Sequence, residues 1–334
     1  MSRQVLNWGF LSTSRINKVL LEPLRESKRN VLLAVASRNK NRAEEYAREK
    51  NIKQAYGSYD ELLQDKEIDV IYNALPNHLH AHWTIKAMEA GKHVLCEKPL
   101  AQSVEEVDAI STAAQRYNKV VTEGFMYRTH VQTYLIKDII RSGKLGKIKM
   151  IRSNFTFMMN KPDDYRWKPE MGGGSLWDIG CYPLSFARTV LESEPLEVFG
   201  QQVTGRTGID DSFIALIRFP NDIFVCFDCS ICVPFRVFME IVGDEASLQV
   251  PCPFNPGTEE KLELIRQGGT ETVIVHGTPK YLSEIEDIAD AILTKKPPAI
   301  SLADSRANVA AILALFESAK IGKPVFLRQT YIKK

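Results

Sequence analysis

A lysine stands where a short apolar run ends, in His93-Val94-Leu95-Cys96-Glu97-Lys98-Pro99. The run reads as a buried strand stopped by proline. An ammonium at such a strand end can donate a hydrogen bond to a substrate oxygen and offset charge developing there. A second stretch, Gly174-Ser175-Leu176-Trp177-Asp178-Ile179-Gly180-Cys181-Tyr182-Pro183, supplies a carboxylate and a phenol. Pro183 has no N–H for Ile179, so a helix here is kinked or only beginning, and Asp178 and Tyr182 fall about one turn apart. Taking hydride from an alcohol requires removal of its proton; the reverse reaction requires delivery of one. A free tyrosine, with a pKa of about 10, is a poor base at neutral pH. A nearby ammonium favours the phenolate and lowers that pKa. Lys98, Asp178 and Tyr182 are therefore the candidate catalytic residues, provided one cleft receives all three.

The elements that must position Lys98 alternate strand and helix. Val5 to Leu11 is strand-like, and Ile16, Val19, Leu20 and Leu24 then form one helical face. Strand, tight turn and helix open a dinucleotide fold, in which pyrophosphate sits on the helix N-terminus. The usual glycine pattern is incomplete: Gly9 is present, but Ser12 and Ser14 occupy positions where glycines are common. Val31 to Ala36 is a second strand ending at Ser37-Arg38-Asn39-Lys40-Asn41-Arg42. An acidic residue there would bind the ribose 2′-hydroxyl of NAD; arginines suit the 2′-phosphate of NADP. Strands at 68–75, 93–96 and 120–122 alternate with helices at 42–50, 78–90 and 103–117, the last capped by Ser103. Such alternation predicts right-handed βαβ units and a parallel sheet, with ligand contacts at the strands' carboxyl ends. The candidate cofactor contacts are Gly9, Ser12, Thr13, Ser14, Arg15 and Ile16 in the first turn, Ser37, Arg38 and Arg42 after the second strand, and Leu75, Pro76, Asn77, His80, Glu97 and Lys98 at the later ends. The expected cofactor is NADP(H), with NAD(H) possible.

After Glu123-Gly124-Phe125-Met126-Tyr127-Arg128 the periodicity changes. A helix at 133–142 precedes an alternating strand at 147–159, and strands at 214–219, 223–232, 238–242 and 262–266 imply an antiparallel sheet. Helices at 281–293 and 302–321 close the chain. Tyr127, Arg128, Arg166 and Trp167, with Asp178 and Tyr182, are the candidate substrate contacts, since an aromatic and a guanidinium in a loop suit a sugar face. The fold expected is α/β: a doubly wound parallel sheet over residues 1–122, then an α+β substrate-binding domain with a large, mostly antiparallel sheet over 123–334. An open sheet face would suit a homodimer.

His78, His80 and His82 lack a carboxylate or thiolate to complete a metal set, and a capping, cofactor-side role is expected instead. Cys226, Cys229 and Cys232 lack a fourth cysteine, and alternate strand positions point them to opposite faces. No metal is expected. The chain has 334 residues, and 43 Lys+Arg stand against 41 Asp+Glu, a balance giving no electrostatic reason for nucleic acid or membrane partners. The six cysteines and the absence of a signal pattern suit a reduced, cytoplasmic protein.

Glu97-Lys98-Pro99, the Gly-Gly-Gly-x-x-x-Asp-x-Gly-x-Tyr-Pro segment, Pro76-Asn77-x-x-His80, Glu123-Gly124-Phe125-Met126-Tyr127-Arg128 and Gly208-Ile209-Asp210-Asp211 together resemble the Gfo/Idh/MocA oxidoreductase family. The resemblance covers nearly the whole chain. It implies a Rossmann domain, a C-terminal domain with a mostly antiparallel sheet, and hydride transfer between NAD(P) and a hydroxyl or carbonyl of a small sugar, sugar derivative or cyclic diol. It also implies catalytic roles for Lys98, Asp178 and Tyr182. Tyr182, where many members carry histidine, resembles the branch of dihydrodiol and NADP-dependent xylose dehydrogenases. Some regulators share the fold and bind NAD(P) without turnover, which is the alternative reading.

Overall fold

The computed structural model describes residues 5–327. Two compact units divide the chain: one runs to Phe125 and resumes over Tyr281–Ser305, the other spans Met126–Lys280 and resumes at Arg306.

In the first unit six strands form a parallel sheet: β1 (Leu6–Phe10), β2 (Asn30–Ala36), β3 (Gln54–Tyr56), β4 (Val70–Asn73), β5 (His93–Glu97) and β6 (Val121–Gly124). Their order is β3-β2-β1-β4-β5-β6. The order reverses direction between β1 and β4, the switch point where a crevice opens beyond the strand ends. The connecting helices begin as their caps dictate: Asn39, Ser58 and Ser103 each accept a first-turn backbone N–H. Trp8, Phe10, Tyr72 and Leu95 fill the core together with Ile285, Ile288 and Ala289. Those last three lie on the helix Lys280–Leu293. Residues 281–305 thus belong to the cofactor-type unit, whereas their position in the sequence assigned them to the rear domain. The reason is an amphipathic stripe that finds its apolar surface on this sheet, pinned by Arg29, which pairs with Asp290 at 2.7 Å and with Glu286.

The second unit is built on nine strands: β7 (Ile148–Met158), β8 (Glu197–Thr204), β9 (Asp210–Phe219), β10 (Ile223–Ser230), β11 (Cys232–Gly243), β12 (Ser247–Val250), β13 (Glu259–Arg266), β14 (Gly269–His276) and β15 (Val325–Phe326). They follow the order β14-β13-β12-β11-β7-β10-β9-β8-β15. Only β7 and β10 run parallel; the other neighbours are antiparallel. β14 escapes the sequence reading because most of its side chains face water. One sheet face is covered, with Phe213 in β9 against Phe316 of the helix Leu302–Ile321. The other face leaves Ile214, Leu216 and Phe224 exposed. The alternation of strand residues accounts for both faces. No helix among the described residues is long and apolar enough to cross a membrane.

Candidate active site

In the first unit Lys98 follows β5, and its peptide bond to Pro99 is cis. The corner is held by neighbours of the sheet. Tyr72 in β4 is buried and donates its hydroxyl to Glu97 Oε1 at 2.5 Å. Glu123 in β6 accepts the Leu100 backbone N–H at 2.8 Å. A side chain at Gly124 would lie 3.3 Å from the Cys96 carbonyl, so a small residue lets β6 close on β5 at the glutamate.

His80 is wholly buried, with Nδ1 2.7 Å from the Pro99 carbonyl and Nε2 2.7 Å from the Leu75 carbonyl. Both ring nitrogens face backbone carbonyls, and the neutral imidazole has one N–H to donate to one of them. The residue does not cap the helix His80–Glu89; it lies between the carboxyl ends of β4 and β5. Burial depresses its pKa to about 4, against the upward pull of the two carbonyls.

The first turn of the parallel sheet carries hydroxyls beside a helix N-terminus. Ser12, Thr13 and Ser14 lie between β1 and a 3₁₀ turn, Arg15–Asn17, that leads into the helix Lys18–Glu26. Ser12 Oγ accepts the Ser14 N–H at 3.2 Å, and no acidic residue occupies the first turn of either helical segment. An anion therefore meets hydroxyls and a helix N-terminus with no competing carboxylate. At Gly9 a Cβ would lie 2.9 Å from the Leu62 side chain, so this glycine serves strand–helix packing. After β2, Arg38 is hydrogen-bonded to the Tyr59 hydroxyl and Arg42 lies within electrostatic reach of it. The charges of both guanidinium groups thus act on the Tyr59 hydroxyl, with no acidic residue in the adjoining helix's first turn. This donor set fits a dinucleotide carrying an additional phosphate on its adenosine ribose.

In the second unit Asp178 lies on a π-helical turn, Leu176–Gly180, which passes into the helix Cys181–Leu191 bearing Tyr182. The wide turn is where Pro183, lacking an N–H, prevents a regular helical ladder from starting. Asp210 anchors this turn, accepting the Leu176 N–H at 2.7 Å and the Ser175 hydroxyl at 2.9 Å. Burial raises its pKa to about 6 even so. Gly174 has φ +113°, and a Cβ there would lie 2.0 Å from Asp210 Oδ1. Only glycine fits both demands.

Asp178 is buried, and its Oδ2 accepts Arg166 Nε at 2.6 Å. Arg166 is thus engaged by a carboxylate, whereas its sequence position suggested a substrate contact. The Trp167 indole donates to the Lys161 carbonyl at 2.8 Å. Tyr182 packs its ring against Phe155 at 5.5 Å, Phe254 at 5.7 Å and Tyr127 at 6.0 Å between centroids. Tyr127 was expected at the substrate but is wholly buried, stacks on Phe186 and donates to Ser185 Oγ at 2.8 Å. Its place is in the packing beneath Tyr182. Arg128, also buried, places Nη1 3.3 Å from the same Ser185 hydroxyl.

Glu284 went unnoticed in the sequence. It lies on the helix Lys280–Leu293, is buried, and its Oε1 has no hydrogen-bond partner. Burial and the charge of Glu97 push its pKa well above the carboxylate range. A glutamate on an otherwise apolar stripe was the available signal. No group of three His, Cys, Asp or Glu among the described residues could hold a metal. All six cysteines are free thiols, with Cys229 buried and Cys226 half-buried on alternate faces of β10.

A parallel sheet with a phosphate-type first turn, followed by a sheet-rich second unit, defines a dinucleotide-dependent oxidoreductase acting on CH–OH groups. The model of the oxidoreductase family with NAD-binding Rossmann fold matches residues 6–125, and that of the GFO/IDH/MocA C-terminal domain matches 134–249. The chain belongs to the Gfo/Idh/MocA family. It is 32% identical to D-xylose 1-dehydrogenase (NADP(+)) 2 of Haloferax volcanii, over 96% of this chain and 99% of the relative. It is 31% identical to trans-1,2-dihydrobenzene-1,2-diol dehydrogenase of Xenopus laevis, over 89% of this chain and 93% of the relative. The solved structure of aldose-aldose oxidoreductase from Caulobacter crescentus shares the fold with a TM-score of 0.90 at 22% identity, covering 97% of this chain and 100% of that one.

Proposed function

We propose that the protein transfers hydride between NADP(H) and a hydroxyl or carbonyl carbon of a small sugar, sugar derivative or cyclic diol. The observation that carries the substrate class is similarity over most of the chain to dehydrogenases named for D-xylose and for a dihydrobenzenediol. Both compounds are small and carry vicinal hydroxyls. The preference for NADP(H) is supported by Arg38 and Arg42 at the end of β2 and by the NADP(+) in the xylose relative's name. Ser12, Thr13 and Ser14 would hold the pyrophosphate, and Glu97 the nicotinamide ribose.

The bound dinucleotide supplies the hydride acceptor or donor. The remaining work falls to side chains. The Tyr182 phenol takes the proton from the substrate hydroxyl, or returns it to the developing alkoxide in reduction. Lys98 donates a hydrogen bond to the substrate oxygen. Asp178 accepts a hydrogen bond from a neighbouring substrate hydroxyl and so sets which carbon reacts. The apolar outer face of the second sheet, with Ile214, Leu216 and Phe224, is the proposed homodimer surface.

A panel of pentoses, hexoses and cyclic diols with NADP+, and their carbonyl counterparts with NADPH, tests the reading by absorbance at the reduced-nicotinamide band. Turnover of at least one class is expected, with Lys98→Ala and Tyr182→Phe each lowering kcat by about 10²–10⁴-fold. Cofactor binding without turnover across the panel, unchanged by Lys98→Ala, would replace this reading with that of a sensor.

A further inference from the structure

The turn after β1 lacks two glycines that are common in dinucleotide folds, and a buried side chain takes over their work. None of Ser12, Thr13 and Ser14 has a positive φ, so the turn does not use the left-handed backbone that favours glycine. Hydrogen bonds close it instead. The Asn17 carboxamide donates Nδ2 to the Ser12 carbonyl at 2.5 Å. The Asn17 backbone N–H donates to the Ser14 carbonyl at 3.2 Å, and the Ser12 hydroxyl reaches the Ala74 carbonyl beyond β4 at 3.5 Å. A carbonyl only accepts, so the Asn17 side chain must present its NH2 to Ser12. The same carboxamide is hydrogen-bonded to the Tyr46 phenol on the helix Lys40–Lys50, one turn beyond Arg42. Asn17 is wholly buried, and its Oδ1 has no hydrogen-bond partner among the described residues. An unpaired buried carbonyl oxygen is a cost to the fold, carried here for the bonds that Nδ2 makes.

We infer that Asn17 is a positioning residue for the dinucleotide: its carboxamide holds the Ser12 carbonyl and so fixes the course of the Ser12–Ser14 turn against the pyrophosphate. The inference rests on the proposed dinucleotide reading and deepens it. A carbonyl oxygen is the negative end of its dipole. Bonded to a buried carboxamide, the Ser12 carbonyl is turned into the protein; released, it could swing toward the anion and repel it. Asparagine is suited to this task, because its NH2 donates while the side chain stays neutral beside an anion site. Aspartate of the same shape cannot donate when ionised and would add a negative charge. The pyrophosphate is common to NAD(H) and NADP(H), so Asn17 acts on both, whereas Arg38 and Arg42 act on the 2′-phosphate.

The experiment is titration calorimetry of the full chain with NADP(H), NAD(H) and adenosine 2′-monophosphate, which lacks the pyrophosphate, for wild type, Asn17→Ala, Asn17→Asp and Tyr46→Phe. Asn17→Ala should weaken both dinucleotides alike, by about tenfold, and leave adenosine 2′-monophosphate within about twofold of wild type. Asn17→Asp should weaken both dinucleotides further. Tyr46→Phe keeps the bond to Ser12 and should stay within about twofold for all three ligands. Unchanged dinucleotide affinity in Asn17→Ala would make the residue merely structural and overturn the inference. A loss confined to NADP(H), or an equal loss in Tyr46→Phe, would place the effect at the helix bearing Arg42 and overturn it as well. Should Asn17→Ala fail to fold, Asn17→Asp carries the test, and unchanged NAD(H) affinity there overturns it. A wild-type protein that binds neither dinucleotide would instead remove the underlying cofactor reading, and this inference with it.

Discussion

The two units prepare their polar corners by different means. In the first, Glu97 and Lys98 sit at the end of a parallel strand and are held largely through backbone: His80 against two carbonyls, Glu123 against an N–H, and one phenol from β4. In the second, Asp178 is held by charged side chains, with Arg166 on the carboxylate and Asp210 beneath its turn. A corner held by sheet backbone inherits the rigidity of the ladder. A corner held by ion pairs depends on each partner's charge and geometry. The first arrangement suits a cofactor of constant shape, and the second suits a pocket whose specificity is adjusted one side chain at a time.

The sharpest way to break this contrast is steric. Gly174→Ala in the second unit places a Cβ 2.0 Å from Asp210 Oδ1 at φ +113°, and should destabilise by about 3 kcal/mol or more in urea denaturation. Gly91→Ala in the first unit also has positive φ, +83°, but meets nothing within 4 Å, and should cost only about 1 kcal/mol. Equal losses would mean that the Asp210 anchor is not rigid.

The next test is protonic. The folded pKa of His80 lies near 4, below its unfolded value, so the unfolded chain binds the proton more readily. The stability that depends on neutral His80 is present above about pH 6.5 and is lost as pH falls toward 4, a difference of about 3 kcal/mol. The stability difference between wild type and His80→Gln, from denaturation at both pH values, should shrink by that amount on acidification. Glu284 runs the other way. Its folded pKa is raised, so its contribution is complete below the unfolded value and is lost as pH rises, and Glu284→Gln should gain on wild type toward alkaline pH. A constant difference at either position would show that its neutral form is not what the fold selects.

The smallest expected effect concerns the cofactor. Arg38→Ala should weaken NADP(H) binding about 10- to 100-fold and NAD(H) binding less than about threefold, read by fluorescence titration. Equal losses would remove the phosphate role of the Arg38–Arg42 pair.

Much of this organisation is written locally. Alternating apolar periods mark the βαβ units, side-chain caps at Asn39, Ser58 and Ser103 start three helices, and the lack of an acidic residue after β2 is visible without coordinates. Lys98 at a strand end, and Asp178 and Tyr182 a turn apart, follow from residues within one or two turns of each other. The partners are another matter. That Arg166 binds a carboxylate, that His80 is buried between two backbone carbonyls, that Tyr127 lies wholly in the core, and that residues 281–305 return to the first sheet were decided only by the tertiary structure. The physical reason is range: periodicity and capping act over a few residues, whereas desolvation and ion pairing depend on which distant groups the packed chain brings against a side chain.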